Sequence, residues 1–239
     1  MPLTVADLLI RLDRFPWAEW RKRLTPGLTQ VYRDVVNTAG KTAAVAAGGT
    51  WDFQDPFLSR WMTRYVGERI VQLESVTKAR VADLMRESFD QTRADSLLEQ
   101  SRAILDAVRE EYQGYDGWRA ARIARTERAI AANQGAMFGY AQAGVQEVEV
   151  LDGTEDEACA RANGQVWSVA YALANPIEHP NCTRAFTPIP VPDDQRHRPI
   201  EAFNLWIAGQ DPARVARNAA AIHDREDPCA RSIEVDDAA

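Results

Sequence analysis

His179 and Cys182 stand three residues apart in "EHPNCTRAF", residues 178–186, and Cys159 lies upstream in "GTEDEACARANGQVW". Thiolate and imidazole are donors that suit zinc, so these three side chains could hold one ion if their two loops meet at a sheet edge. A fourth ligand would have to come from Asp152, Asp156 or Cys229, none of which lies at a diagnostic spacing. The same residues also fit a turn fixed by Pro180, with small buried thiols and a histidine bonded to a backbone carbonyl. The residues leave both readings open, with the turn favoured over the ion. A third chemistry, attack by a thiol, needs a base and an oxyanion hole. No glycine-rich loop flanks either cysteine, so no catalytic residue is assigned.

A second polar constellation is "ARTERAIAANQ", residues 124–134. Arg125, Glu127, Arg128 and Asn133 recur at near-helical spacing on an otherwise apolar helix, the pattern of a buried network. The expectation is that Arg125 or Glu127 satisfies strand ends or the 178–186 turn. Glu127 as a general base is the competing reading. The acidic "DGTEDE" lacks the spacing and terminal glutamate of a calcium loop. Phosphate-binding glycine loops, GxSxG and HExxH are absent from the sequence.

These residues need elements to position them, and hydrophobic periodicity supplies the outline. Leu58, Trp61, Met62, Tyr65, Val66, Ile70 and Leu73 follow steps of three and four from Asp55-Pro56, an N-cap followed by proline at the first helical position. A second helix fits "SLLEQSRAILDAVREEY", and a third runs through "WRAARIARTERAIAANQGAMFGYAQAG" to Gly144. The period then changes to two. "VQEVEVLDG" reads as a strand, "NGQVWSV" as a second strand entered by an Asn-Gly type I′ hairpin, and "CTRAFTPI" as a third that prolines end. The expected fold is therefore α+β, mainly helical in its N-terminal and central parts, with a small antiparallel sheet near the C-terminal third.

Three regions are expected. Residues 1–50 form an amphipathic helical arm, interrupted at Pro16 and Pro26-Gly27, whose apolar face carries Trp17, Trp20, Leu24, Leu28 and Val31. Residues 51–190 form a helix-and-sheet body. Residues 191–239 hold a linker, short helices with Asp211 as an N-cap, and an acidic tail, loosely held unless a partner orders them.

Composition narrows the function classes. In 239 residues, 46% are hydrophobic and 26% charged, which is ordinary for a soluble protein with a real core. A net charge of -7 argues against broad wrapping of nucleic acid, although Arg21, Lys22, Arg23 and the run Arg119, Arg122, Arg125 and Arg128 could meet phosphate locally. The longest weakly polar stretch is too short to cross a bilayer, and the N-terminus does not have the charge pattern of a signal peptide, so an intracellular product without a membrane partner is expected. Three widely spaced cysteines do not make a disulfide framework.

The order of these pieces carries a resemblance. "RVADLMRESF", "RIARTERAIAANQGAMFGYAQAG", "EVEVLDG", a cysteine after an acidic turn, "ANGQVW" and "PIEHPNCTRAFTPI" together resemble the phage Mu F-like minor head protein family, also called head morphogenesis proteins. The likeness spans residues 55–190. Its most specific parts are Ala124–Glu127 followed by Asn133, and His179–Cys182, so Arg125, Glu127, Asn133, His179 and Cys182 form its structural motif. Many members carry C-x-x-C before the turn and C-R-C after HPN. Here Ala162 and Arg184 stand at the second position of each pair, which counts against zinc as a cofactor. The resemblance implies a minor component of a tailed-phage or phage-like head, located in the virion at the portal vertex and in host cytoplasm during assembly. Its implied partners are the portal protein, with the major capsid protein or head-to-tail connector and packaged DNA as further contacts. The arm residues Trp17, Trp20, Leu24, Leu28 and Val31 would then bind the portal. A head-maturation hydrolase, protease or nuclease, using the Cys/His cluster is the alternative.

Overall fold

The computed structural model describes residues 5–91, 122–153, 156–190, 192 and 200–223. It is α+β, as expected. In chain order the helices are α1 (Val5–Asp13), α2 (Trp17–Ala46), α3 (Pro56–Gln91), α4 (residues 122–142), α5 (Glu157–Ala162), α6 (Val169–Ala174), α7 (Ile200–Ala208) and α8 (Pro212–His223). The strands are β1 (Glu147–Leu151), β2 (Val166–Ser168) and β3 (Ala185–Pro188). The expected helix over "SLLEQSRAILDAVREEY" lies outside the described residues. Among the described residues, no helix is long and apolar enough to cross a membrane.

The described chain divides into two compact units, and the division does not fall at residue 50. One unit takes the chain up to Thr25 together with the part of α3 from Ile70 onward. Within it the Trp17 indole donates to the Leu12 carbonyl at 2.9 Å, and Lys78 and Arg21 pair with Asp13 and Glu74 at 2.6 and 3.1 Å. The other unit takes Pro26–Arg69 and the chain from Arg122. Tyr32, Val36, Ala43 and Ala44, placed on an arm by periodicity alone, are buried in this second unit. The expected break at Pro26-Gly27 does not occur, because α2 runs through it. Proline there leaves one carbonyl without its helical donor, and exposure of the neighbouring residues lets water take that place.

The core of the second unit follows the predicted stripe. Leu58, Trp61, Met62, Tyr65 and Val66 of α3 are buried, as are Ile130, Met137 and Phe138 of α4. The Asp55 cap is real: its Oδ1 accepts from the amides of Phe57 and Leu58 at 2.8 and 3.0 Å. Aromatic rings knit the interior, with Trp61 stacked on Tyr65 at 5.1 Å and edge-on to Phe138 at 5.0 Å. Helices α7 and α8 are not a loose arm: Phe203, Ile207, Val215, Ala216 and Ile222 are all buried. Asp211 caps α8, accepting from Ala213 at 3.0 Å.

The sheet is antiparallel with order β2-β1-β3. Val148 and Val150 turn into the core from the central strand, while Glu147 and Leu151 face out. Pro188 closes β3, which as an edge strand tolerates a residue that cannot donate. The Asn-Gly pair is not a type I′ hairpin. Asn163 has φ -58 and ψ 129, Gly164 has φ +77, and the Gln165 amide donates to the Ala162 carbonyl at 3.0 Å. That is a type II turn, and it joins a helix to a strand rather than two paired strands, so the twist that favours I′ does not apply.

Helices α2 and α4 cross at a contact made possible by glycine. A Cβ on Gly135 would lie 2.8 Å from the Val36 backbone, and one on Gly139 would run into the Gly40 backbone. Gly139→Ala is therefore expected to lower unfolding stability by about 1–3 kcal/mol. Gly67→Ala, where an added Cβ meets nothing within 4 Å, should raise it by roughly 0.5–1 kcal/mol. Denaturant melts of the two variants check this pair of opposite signs.

Candidate functional site

Helix α4 presents polar side chains to two different neighbourhoods, and their separation decides what each can do. On one side Arg125 and Asn133 reach the 178–186 turn. Arg125 Nε donates to Asn181 Oδ1 at 3.0 Å. Asn133 Nδ2 donates to the carbonyls of Pro176 and Arg184, at 2.7 and 2.9 Å, and so ties the two ends of the turn together. Of the two side chains expected to serve the turn, Arg125 or Glu127, it is Arg125 that bonds to it.

Glu127 instead meets Arg69 in the interior, with side-chain exposures of 2% and 0%. Tyr32 Oη donates to Glu127 Oε2 at 2.6 Å, and Tyr65 Oη lies 3.4 Å from Tyr32 Oη. Arg69 Nη1 also donates to the Ala216 carbonyl at 3.3 Å, so α2, α3, α4 and α8 share one polar knot. Burial alone would lower the Arg69 pKa, but the adjacent Glu127 carboxylate reverses this and holds the guanidinium charged well above its ordinary range. Burial, with Glu127 beside it, pushes the Tyr32 phenol far up, and burial pushes Tyr65 up to about 12. Arg69 escaped sequence reasoning. Its only signal was a charged residue four positions after Tyr65 on the predicted apolar stripe.

The turn itself follows from its residues. Pro180 occupies the second position, Asn181 has φ +60, and the Cys182 amide donates to the His179 carbonyl at 3.2 Å, the type II pattern that proline and asparagine favour. His179 Nδ1 lies 2.8 Å from the Pro180 carbonyl, which can only accept, so Nδ1 carries the hydrogen. The other ring nitrogen, Nε2, points inward, 3.2 Å from Cys159 Sγ and 2.9 Å from Asp156 Oδ2. Cys159 Sγ and Cys182 Sγ are 3.8 Å apart and both thiols are free. Thus the three residues predicted as metal ligands do converge: their donor atoms lie within 4.8 Å of one another, and all three residues are buried.

Three further side chains frame this cluster. Asp156 caps α5, its Oδ1 accepting from the amides of Ala158 and Cys159 at 2.9 Å each. Burial disfavours its charge, but the Cys159 and Ala158 bonds and the nearby His179 hold its carboxyl below the ordinary value. Asp152 Oδ1 is 3.5 Å from Cys182 Sγ, and its Oδ2 accepts from Arg184 Nε at 2.7 Å. Arg184 also donates to Glu178 at 3.3 Å and sits 5.0 Å over the Trp167 ring. Burial opposes its charge, and the Asp152 carboxylate more than offsets that. Burial raises both thiols, and at Cys159 the Asp156 carboxylate adds to the effect. Cys229 lies outside the described residues.

The Cys159–His179 contact is the geometry of a thiol–imidazole pair, but other parts of a thiol hydrolase are not assembled around it among the described residues. The α5 amides that could hold an oxyanion are taken by Asp156. A groove of about 190 Å³ is lined by Gly144, Ser168, Phe203 and Trp206 among others, and no residue of the cluster lines it. Of the basic residues, Arg21 is paired with Glu74 and Arg125 with Asn181, while Lys22, Arg23 and Arg128 are exposed; Arg119 lies outside the described residues. On the arm, Trp17, Trp20, Leu24 and Leu28 are half-buried and Val31 is exposed.

Comparison with protein-family models, with curated proteins and with solved structures finds no match.

Two outcomes are expected at the polar knot. Glu127→Gln should cost about 3–5 kcal/mol, because it leaves the Arg69 charge buried without its counter-ion. Raising the pH should also unfold the protein. A phenol whose folded pKa is raised gives stability that is complete below the ordinary value of 10.0 and is lost as pH climbs through about 12. Tyr65→Phe should remove a slope of up to about 1.4 kcal/mol per pH unit in that window, read from urea midpoints at successive pH values.

Proposed function

We propose that the chain is a minor head protein of a tailed phage or phage-like particle. It would bind the portal and the head interior and assist assembly or the packaging and ejection of DNA. One observation supports this reading above the others: the two segments that carry the resemblance, the α4 stretch around Arg125 and Asn133 and the HPNC turn, are joined by direct hydrogen bonds. Residues distant in sequence thus act as one clamp between helix and sheet, and the motif has a structural job that needs no catalysis. The clamp makes a firm knob from which flanking segments can reach a partner.

Half-buried Trp17, Trp20 and Leu24 of the first unit supply the apolar surface in this reading, with exposed Phe15 and Ile10 of the same unit, while Leu28 and Val31, also assigned to portal binding by the resemblance, belong to the second unit. Such a helix face suits a cleft between the subunits of a portal ring. Exposed Lys22 and Arg23 on the same helix would add contacts to acidic groups or phosphate at the rim.

Particles assembled with Trp20→Glu, Leu24→Glu protein should contain at least roughly tenfold less of it than wild-type particles, by quantitative immunoblot against the portal band. The isolated variant should retain its wild-type circular dichroism. Unchanged incorporation would sink the portal-binding reading. In the same particles, His179→Ala, Cys182→Ala protein should leave capsid protein processing intact; a block there would favour a hydrolase.

A further inference from the structure

We infer that Cys159, Cys182, His179 and Asp156 form a structural zinc site that staples α5 to the 178–184 turn. The inference rests on the geometry of the cluster and is independent of any role in a phage head.

Electron-pair donors converge here with too few hydrogens to satisfy them. His179 spends its hydrogen on the Pro180 carbonyl at 2.8 Å, so in the neutral ring Nε2 offers only a lone pair. That lone pair faces Asp156 Oδ2 at 2.9 Å, and Asp156 Oδ2 is a buried oxygen with no hydrogen-bond donor of its own. Cys159 Sγ stands 3.2 Å from the same nitrogen and 3.8 Å from Cys182 Sγ. Two sulfurs and an imidazole nitrogen drawn together in a buried space, with a carboxylate oxygen against the nitrogen, are matched by a cation, and the donor set is that of tetrahedral zinc.

The distances agree with this. With Zn–S near 2.3 Å, a tetrahedron has a sulfur–sulfur edge of about 3.8 Å, and its sulfur–nitrogen and nitrogen–oxygen edges are about 3.5 and 3.3 Å. The Cys159–Cys182 separation of 3.8 Å already fits, the separations of 3.2 and 2.9 Å need a few tenths of an ångström of opening, and the wider His179–Cys182 edge, within 4.8 Å, closes by about 1 Å as the Cys182 side chain turns toward the ion. The Nδ1 bond to a backbone carbonyl is the outer support that metal-bound histidines use to fix ring and tautomer. Asp156 is well held too, since its Oδ1 is anchored at the start of α5 while Oδ2 points at the cluster.

Asp152, the other carboxylate at hand, is committed to Arg184 at 2.7 Å and serves as a neighbour of Cys182 rather than as the fourth ligand. This accommodates Ala162 and Arg184. The carboxylate of Asp156 completes the set without a second cysteine in either loop, and Arg184 with Asp152 forms a buried ion pair beside it. Four protein ligands leave no open position, so the ion is structural and has no bound water to activate. On binding, both thiols release their protons to solvent and the ring stays neutral.

The test uses the full chain purified under reducing conditions, exposed to zinc sulfate and then dialysed. Elemental analysis should find one zinc per chain. Cobalt(II) in its place should give the visible bands of a tetrahedral ion with a thiolate charge-transfer band in the near ultraviolet. Chelation should lower the melting temperature. Asp156→Asn keeps the helix cap, since asparagine caps as well as aspartate, but removes the charged ligand. It should retain the fold by circular dichroism, weaken zinc binding roughly tenfold or more, and alter the cobalt spectrum. Cys182→Ser should lose the charge-transfer intensity of one thiolate. Folded, reduced wild-type protein that holds less than a tenth of an equivalent of zinc would overturn the site. A Cys159–Cys182 disulfide in freshly prepared protein would do the same. An Asp156→Asn variant with unchanged affinity and spectrum would remove Asp156 from it.

Discussion

Glu127 and Arg69 face each other with almost no water, and an isolated charge at either place would cost several kcal/mol. That constraint reaches across much of the second unit. Arg69 must also find the Ala216 carbonyl, which draws α8 inward, and Glu127 must accept from Tyr32, which fixes α2. Four helices therefore have one arrangement that satisfies the knot. An apolar substitute could pack as tightly, but it would lose that registry, since apolar contacts are tolerant of sliding whereas charge-assisted hydrogen bonds are not.

Once α4 is held on that side, its other side becomes a ruler for the sheet. Asn133 has two donor hydrogens and spends both on carbonyls at the two ends of the turn, Pro176 and Arg184. This sets where β3 begins, and β3 pairs with β1 from Ala185 opposite Leu151. The loop after β1 leads into α5, whose cap Asp156 brings Cys159 beside His179. A chain of specific polar contacts thus connects the helical interior to the sulfur cluster, with apolar packing filling the space between. The two cysteines belong to one buried cluster with Ile130, Ile177, Ala219 and Ile222, so the sulfur site is part of the core.

Much of this was legible beforehand, for physical reasons that differ between elements. The buried stripe of α3 could be read because one helix face must be apolar along its whole length. The strands could be read because alternation on a half-buried sheet has a different period. The cap at Asp55 and the turn at Pro180-Asn181 are local chemistry, decided within a few residues. Pro26 misled because proline weakens a helix locally while packing and solvation on both sides sustain it. The Asn163-Gly164 turn misled because its dipeptide is shared by several turn types, and the flanking elements select among them.

The amino-acid order alone determined the α+β outline, the paired features of the HPNC turn and the α4 motif, and the proximity of His179 to Cys182 in sequence. It did so because periodicity, caps and turns depend on neighbours. Only the tertiary structure decided that Glu127 meets Arg69, that α7 and α8 are core, and that Asp156 turns one oxygen to His179 while Asp152 lies between Cys182 and Arg184. Those choices depend on which distant side chain shares a desolvated space. A buried charge or lone pair must find its partner in three dimensions, and spacing along a chain does not carry that distance.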